Sequence, residues 1–575
     1  MEGLPYTCQF SDTQGRREIV DCHGKPEVVR AVLAGFLYEA KQGDFLLGGF
    51  FYFRFDIQVL FRDKPEVFEG LGNVDFVDEH KVHWKGSTQW PVIFLIGRYE
   101  GRTLLVIDTW RFFPGSLERV CYDLQLPFKK MEKPPCIAEN RAPTEAERPY
   151  FNEYAQADSD ANLEILTRID SLWARDSLGP CISVAHLSGK KFRRDFTGGL
   201  GLDVPDEFTS LGGLLAYKGG RNSLCAEKLP LVVDACKMFD VRSLYPYICS
   251  ELLPSFFGGC WVWRQNPTLV SAGVYRLKGN LEIGNCAPYR LLMDAKGDYL
   301  KPGPIDCWQT GFEIIAAMKH GLLKDFQIQG AVWEPGDQKR HPFKEFYGEV
   351  FNLKEENRGK NVLLYTYYKN IANCLTGKFV STIPLEVEEN GQLHRIRVPG
   401  LLFNPPVGAL ITGAGRALLF EYELSSGSIH GATDSMVVPP MGTCPAEGEK
   451  LGDWELAAQG RFVCARNKLY VFLGPKGAKR PANFTGWAED KPGKKTPYWK
   501  GQEVRKYALH AFKGNVFQFL DAVFDGQASY KYTRMVQVRE SRKRKNLKPL
   551  QMNDFVEQLK LGGKYYTPKG VSSVE

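Results

Sequence analysis

Apolar residues in the first third of the chain come in short runs parted by polar turns. Phe45 to Phe55, Val92 to Ile96 and Thr103 to Ile107 read as strands on that pattern, and helical spacing from Ala161 to Trp173 predicts a helix. Between them the Pro- and charge-rich stretch Lys129 to Pro149 predicts a loop. Glycines crowd Val184 to Leu229 and include Tyr217-Lys218-Gly219-Gly220-Arg221. Leu229 to Val233, followed by Met238 and Phe239, predicts a buried strand that ends on one carboxylate, Asp240. Ser243-Leu244-Tyr245-Pro246 comes next, where proline pushes the residue before it out of helical geometry and predicts a sharp turn. Residues 252–345 read mostly as strand with one helix, Gly311 to His320. Phe351 and Leu353, then Val362, Leu363, Tyr367 and Ile371, predict two helices over 346–378. Ile429 to Val438 reads as a β-hairpin with Asp434 at its tip, and Phe462 to Leu473 as a strand whose alternation puts Lys468 and Tyr470 on one face.

A chain of 575 residues exceeds what one core supports, so several domains are expected. Its 43% hydrophobic and 25% charged residues suit a globular protein. Neither a membrane span nor a signal peptide is predicted, because no apolar run approaches about 18 residues and no basic region leads the N-terminus. The 14 cysteines include no C-x-x-C pair, which argues against a zinc ribbon and for reduced thiols in a cytosolic compartment. His80 and His83 have no further ligand close in sequence and are expected on the surface. A net charge of +7 is modest, but its placement is uneven. Arg539, Arg542, Lys543, Arg544, Lys545 and Lys548 cluster near the C-terminus. A second basic stretch, Lys476 to Lys506, includes Trp487, Tyr498 and Trp499. Cations interleaved with aromatics suit a nucleic-acid backbone and its bases, and a solvated basic face is the plain alternative.

Four stretches carry chemistry. Asp240 ends a strand, with Tyr245 five residues on. In Lys369-Asn370-Ile371-Ala372-Asn373-Cys374-Leu375-Thr376-Gly377-Lys378, residues 369, 373 and 377 share one helical face. That face offers a cation, an amide and then no side chain, which admits a planar base pair. Lys354, Arg358 and Lys360 on the preceding helix add positive charge. Asp434 and Lys468-Leu469-Tyr470 complete the set. Phosphoryl transfer by two Mg²⁺ ions about 4 Å apart needs carboxylates converging from different strands. The spacing alone leaves open whether Asp240 and Asp434 meet.

In this order the motifs resemble those of family B DNA polymerases of the protein-primed subclass, used by phages and linear plasmids. The resemblance implies a multidomain α/β fold, a right hand of palm, fingers and thumb behind an N-terminal ribonuclease H-like exonuclease-type domain. Its expected boundaries are 1–180 for the exonuclease-like domain, 181–251 and 405–508 for the palm, 252–345 for a first insertion that contacts a terminal protein, 346–378 for the fingers, 379–404 for a shortened second insertion and 509–575 for the thumb and tail. Asp240 and Asp434 match the catalytic, metal-binding aspartates, and Val241 is placed with them as a metal ligand. Tyr245 matches the gate that rejects a ribose 2′-hydroxyl, with Leu244 beside it, and Lys354, Arg358, Lys369 and Asn373 are expected at the nucleotide. Tyr217, Gly219 and Gly220 match the template-binding Y-x-G-G motif, and Lys468 and Tyr470 the K-x-Y motif that steadies the primer terminus. The implied cofactor is Mg²⁺, two ions, with Mn²⁺ as a substitute. The implied partners are template-primer DNA, dNTPs and a terminal protein primer, for a monomer encoded by a phage or mobile element and working in a prokaryotic cytoplasm.

Departures from the pattern are informative. Ala432-Thr433-Asp434 stands where the family has D-T-D, and Thr376 where it has a tyrosine. In the exonuclease motifs Gln9 and Ser11 occupy acid positions, Tyr52 replaces an asparagine and Gln156 a tyrosine, while Asp56 and Asp160 persist. Tyr154 and Asp158 also read Y-x-x-x-D, two residues out of register. Two acids of four do not hold two metals, so proofreading is expected to be absent. Two further readings fit these losses: a weakened polymerase fold serving as a nucleic-acid-binding subunit, and a specialised enzyme for priming, lesion bypass or untemplated synthesis.

Overall fold

The structure, a computed structural model, describes residues 7–22, 25–61, 63–68, 73–88, 93–127, 131–139, 142–199, 201–226, 228–283, 286, 289–337, 339–389, 392–477, 479–491, 494–509, 512, 514–527, 529–534, 555–560, 566–567 and 570–571. The basic cluster from Arg539 to Lys548 lies outside the described residues.

The N-terminal part runs β1 (Thr7–Ser11), β2 (Arg17–Asp21), α1 (Pro26–Glu39), β3 (Phe45–Phe50), α2 (Phe53–Leu60), β4 (Asn73–Val77), β5 (His83–Ser87), β6 (Phe94–Tyr99), β7 (Arg102–Asp108), α3 (Leu117–Asp123), α4 (Pro135–Ala138) and α5 (Arg148–Arg175). A five-stranded sheet of order β3-β7-β6-β5-β4 forms its centre, with β3 and β7 parallel. Strand alternation divides β7 between two cores. Leu104 and Val106 pack toward α1 and α2, and Leu105 and Ile107 toward α5. The second core continues without a break into the rest of the molecule, through Ile165 and Trp173 to Phe239, Leu410 and Met436.

Beyond it lie α6 (Val184–Lys191), α7 (Glu207–Ala216), β8 (Asn222–Leu224), β9 (Leu231–Val241) and α8 (Leu244–Tyr247). A separate four-stranded sheet, β10 (Cys260–Arg264), β11 (Gly273–Leu281), β12 (Gly303–Thr310) and β13 (Leu323–Glu334), carries α9 (Gly311–Lys319) and has the order β10-β13-β11-β12. Two helices follow, α10 (Pro342–Glu356) and α11 (Val362–Leu375), then the hairpin β14 (Thr382–Glu389) and β15 (Gln392–Pro399), and α12 (Pro405–Ser426). The chain then adds β16 (His430–Ala432), β17 (Ser435–Val438), β18 (Trp454–Arg466), β19 (Leu469–Leu473), β20 (Gly486–Lys491), β21 (Lys494–Trp499), β22 (Gln502–Leu509) and α13 (Val516–Phe524).

A nine-stranded sheet of order β20-β21-β22-β19-β18-β9-β17-β16-β8 gathers strands from both halves of the sequence. Helix α12 is buried along most of its length, starts on the Asn404 side chain accepting from Val407 N, and ends at Gly427 with φ 65°. An element buried all round acts as a central post. Two ion pairs are enclosed with it, Arg416–Glu313 at 2.8 Å and Arg221–Glu423 at 2.7 Å. The first fastens α9 of the four-stranded sheet to α12, and the second fastens the segment before β8 to it.

Several expected elements shift. The strand expected over Phe45 to Phe55 stops at Phe50, and Phe53–Leu60 is helical. Helix α5 starts at Arg148, well before Ala161, because its exposed side is polar and hides the apolar spacing. The turn expected at Tyr245 is the short helix α8: Pro246 falls in its first turn, where a missing N–H breaks no helical bond. Phe462 to Leu473 is not one strand, since β18 ends at Arg466 and β19 starts at Leu469.

Candidate active site

Asp240 and Asp434 come from neighbouring strands. β9 and β17 pair antiparallel with Asp240 opposite Ser435, and Asp434 directly precedes that residue. The β16–β17 turn is two residues long, Thr433 and Asp434, with Ala432 opposite Ser435. Such tight hairpins need left-handed backbone, and Thr433 sits at φ 62°, a costly conformation for a β-branched residue. The backbone is held there from both sides. Val241 N donates to Asp434 O at 2.7 Å, and Thr433 N to Arg221 O at 2.6 Å.

The electrostatics show that the two acids share one site. Burial first, and then the charge of Asp240, raise the Asp434 carboxyl to about 6, while Lys506 and Lys369 pull it down. Asp240 Oδ2 accepts from Lys506 Nζ at 2.6 Å. Its other oxygen is buried and, among the described residues, has no hydrogen-bond partner.

Around the acids stand the residues expected at a nucleotide. Ser243, at φ 56°, leads into α8, where Leu244 is buried and Tyr245 half-buried. A Cβ on Gly415 of α12 would lie 3.4 Å from the Tyr245 ring, so that glycine sets how close the ring approaches. Burial raises the Tyr245 phenol to about 12 and keeps it neutral. Lys354 Nζ donates to Ser243 Oγ at 3.0 Å and pairs with Glu355 at 3.0 Å. Burial lowers the Lys354 ammonium, and the charges of Arg358 and Lys369 add to that. Arg358 is paired with Glu355. Lys369, Asn373 and Gly377 are all exposed, as one face requires, although Gly377 lies in a 3₁₀ turn past the end of α11.

The Y-x-G-G segment is clamped from behind. Arg416 donates to the carbonyls of Lys218 and Gly219 at 2.8 and 2.9 Å, and Lys218 Nζ reaches Trp308 O and Gln309 Oε1. Burial lowers Lys218 to about 8. A Cβ on Gly220 would meet Thr433 at 2.6 Å, whereas one on Gly219 would face open space. Tyr217 is half-buried beside α12. Lys468 is not on a strand face. It occupies the two-residue β18–β19 turn at φ 58°, a position the alternation misassigns. Tyr470 is buried, donates to Met238 Sδ at 3.8 Å, and lies edge-on to His430 at 5.2 Å. Burial and then Lys468 lower His430 to about 4, so it stays neutral.

The remaining exonuclease positions form a different cluster. Gln156 donates to Ser11 Oγ at 2.6 Å and to Asp160 Oδ1 at 3.1 Å, Ser11 bonds the same carboxylate, and Arg17 pairs with it at 3.2 Å. Asp56 acts electrostatically on Cys8 of β1, and burial and then Asp108 raise it to about 7. Burial and Asp158 raise the Tyr154 phenol to about 12. In the basic stretch only Trp487 of the three aromatics is exposed: Tyr498 and Trp499 are buried, bonding Asp490 and Asp521. That stretch is thus partly a packed core rather than a stacking surface. His83 pairs with Asp75 at 2.7 Å.

Sequence reasoning missed Lys506, Ser243, Arg416 and Glu455. Glu455 faces Asp240 across the β9–β18 ladder and pairs with Arg242 at 2.8 Å. Ser243 stands in the Asp240–Pro246 motif but was given no role there; Lys506 and Glu455 are brought in by the pairing of distant strands, and Arg416 by helix α12.

Residues 215–386, which hold Asp240, Tyr245, Lys354 and Lys369, match the family described as DNA polymerase type B, organellar and viral. Over that stretch the chain is similar to the type B DNA polymerases. Among solved structures it is similar to phi29 DNA polymerase complexed with primer-template DNA, with a TM-score of 0.64 at 16% identity over 97% of this chain and 96% of that one. It is also similar to the phi29 ternary complex with primer-template DNA and incoming nucleotide substrates, at a TM-score of 0.63 and 15% identity over 98% and 100% of the two chains. The complex of that enzyme with single-stranded DNA gives 0.62 at 16% identity over 92% and 95%. No curated protein matches in sequence. The shared fold is a right-hand polymerase with an exonuclease-type domain, as expected from the motifs.

Family B polymerases depend on divalent metal, and the residues present fit one. Among the described residues no group of three or more His, Cys, Asp or Glu side chains is arranged as a metal cage. Two carboxylates, one with an unsatisfied buried oxygen, instead make a half-built site of oxygen donors. Such a site suits an ion that takes its remaining ligands from a nucleotide and water.

Proposed function

We propose that this chain is a family B DNA-directed DNA polymerase that transfers dNMP to a 3′-hydroxyl, or to the hydroxyl of a terminal protein, without proofreading. The observation that carries the reading is the convergence of Asp240 and Asp434, joined through the Val241–Asp434 backbone bond. Metal bound there would polarise the α-phosphate and lower the pKa of the attacking hydroxyl. The chain's own residues do the rest. Asp240 and Asp434 hold the metal side, with the Val241 carbonyl next to them. Tyr245 packs under the sugar, Lys354, Arg358, Lys369 and Asn373 face the triphosphate, and pyrophosphate leaves toward those cations. Tyr217, Gly219 and Gly220 guide the template, and Lys468 and Tyr470 the primer terminus.

In this reading 181–251 and 405–508 are the palm, 346–378 the fingers, and 252–345 the insertion that meets a terminal protein. The β14–β15 hairpin is the shortened second insertion. The cluster of Ser11, Gln156, Asp160 and Arg17 supports the loss of exonuclease chemistry, because a guanidinium and two neutral groups now satisfy the one acid. The test is a primed template with dNTPs and Mg²⁺, beside the same reaction with Asp434→Ala. Extension that follows template sequence and is abolished by the substitution supports the reading. Shortening of a single-stranded 3′-end without dNTPs would overturn the claim about proofreading, and template-independent products the claim about templating.

A further inference from the structure

Lys506 is a long way from Asp240 in the sheet. Strands β19 and β18 stand between β22 and β9, three spacings that would separate flat strands by about 14 Å. The Nζ–Oδ2 distance is 2.6 Å. By register Lys506 lies in line with Val233, through Phe472 and Phe462, and so seven residues (240 − 233), or about 23 Å, along β9 from Asp240. Two extended side chains do not bridge both offsets across a flat sheet, so the sheet curls over on itself between those strands. Register breaks at Leu456/Ala458, Gly460/Phe462, Cys464/Arg466 and Phe472/Leu473 are the bulges that bend it.

The ion pair that results is built to exchange. Both side chains keep a little over a quarter of their surface exposed, so solvent ions reach them. Lys506 opposes Phe472 and Ala508 opposes Tyr470, so the ammonium stands on the face that carries the K-x-Y tyrosine. Lysine is a compact ammonium on a flexible four-carbon stem, suited to changing partners without moving its strand. A divalent ion seated about 2.1 Å from Asp240 Oδ2 would exclude an ammonium from the same oxygen, both by contact and by like charge.

We propose that Lys506 is a resident cation that occupies the metal side of the site in the empty enzyme, and that primer DNA draws it off. In the absence of nucleic acid it offsets the facing charges of Asp240 and Asp434. A primer backbone laid beside Lys468 and Tyr470 offers it a phosphate instead. Asp240 is then released to the metal. DNA and metal thus favour each other's binding through one side chain that cannot serve both anions at once. The inference rests on the two-carboxylate metal site proposed above.

The test is Mn²⁺ binding to the full chain, read as loss of the free-ion electron paramagnetic resonance signal, with and without primer-template and without nucleotide. Sites that persist in Asp434→Asn are subtracted. Lys506→Met is expected to bind Mn²⁺ about 10-fold more tightly than wild type without DNA, and the tightening that DNA gives wild type is expected to shrink to about 2-fold. Lys506→Arg keeps the charge and is expected to bind no more tightly than wild type, which separates the lost cation from general loosening. Equal or weaker Mn²⁺ binding by Lys506→Met without DNA would overturn the inference and leave the metal site standing. Binding that Asp434→Asn leaves untouched in every form would remove the metal site and the inference with it.

Discussion

The main-chain N–H of Val241 donates to the carbonyl of Asp434 at 2.7 Å. Two acids 194 residues apart are thus registered by backbone, through a ladder that also pairs Phe239 with Met436. Their side chains do not hold each other; they repel. Asp434→Asn should accordingly keep the fold while lowering single-turnover nucleotide incorporation by about 10³-fold or more, since a neutral amide is a poor metal ligand. An unchanged far-UV spectrum beside that loss is the expected pair of results. Loss of both together would mean that the carboxylate is structural.

Gly415 sets how close the Tyr245 ring lies to α12, and in the proposed site that ring packs under the nucleotide sugar. A methyl group at Gly415 would press on both Ile248 and the Tyr245 ring at 3.3–3.4 Å. Gly415→Ala should therefore change selection of dNTP over rNTP by several-fold, and Tyr245→Ala should lower it by about 10²-fold. The measurement is the ratio of kcat/KM for dATP and ATP on one template. Equal ratios in all three proteins would remove Tyr245 from the sugar pocket.

Glu313 and Arg416 tie the four-stranded sheet to the central helix. Burial alone would raise the Glu313 carboxyl, but Arg416 outweighs it and holds it below the ordinary range. The same carboxylate accepts from Thr310 N and Oγ1, capping α9. Glu313→Gln leaves a buried guanidinium without its counter-charge and is expected to destabilise by about 3–5 kcal/mol. Denaturant unfolding followed by tryptophan fluorescence reads it directly. A loss under about 1 kcal/mol would show that water replaces the carboxylate.

Asp56 makes a pH-dependent prediction. Its folded carboxyl is raised from the ordinary 3.8 to about 7, by burial and then by Asp108. A raised carboxyl favours the folded state when protonated, so its contribution is full below about pH 4 and is lost as pH rises through 7. Asp56→Asn should then be more stable than wild type at pH 8.5, by up to about 4 kcal/mol, and equally stable near pH 4, read from denaturant unfolding at the two pH values. A destabilised variant at pH 8.5 would show that the Asp56 charge is used, as a metal-dependent exonuclease would use it.

What the sequence shows of the site depends on how local each cause is. Asp240 was legible because buried Met238 and Phe239 lead into it, although β9 runs on to Val241 and its first half is partly exposed rather than a buried strand, and the Asp434 hairpin was legible because its turn is short. Lys468 was misplaced because Asn467-Lys468 is a two-residue turn, and alternation cannot see a reversal of direction inside an apolar run. The polar face of α5 hid half of its length. Tyr498 and Trp499 read as stacking residues but pack inside, Trp499 against α13 and Tyr498 against Phe484 and Asp490, contacts between separate elements that no local pattern shows. Lys506 was read only as the end of a basic stretch. Its position follows from the curl of β18 and β19, which no local pattern encodes.

The most direct measurement is a crystal of the full chain with a 3′-dideoxy-terminated primer-template, the complementary dNTP and Mn²⁺, analysed by anomalous diffraction. The account predicts two manganese peaks about 4 Å apart between Asp240 and Asp434, with the nucleotide sugar over Tyr245. Manganese found elsewhere, with those two carboxylates bearing none beside a bound nucleotide, would contradict it.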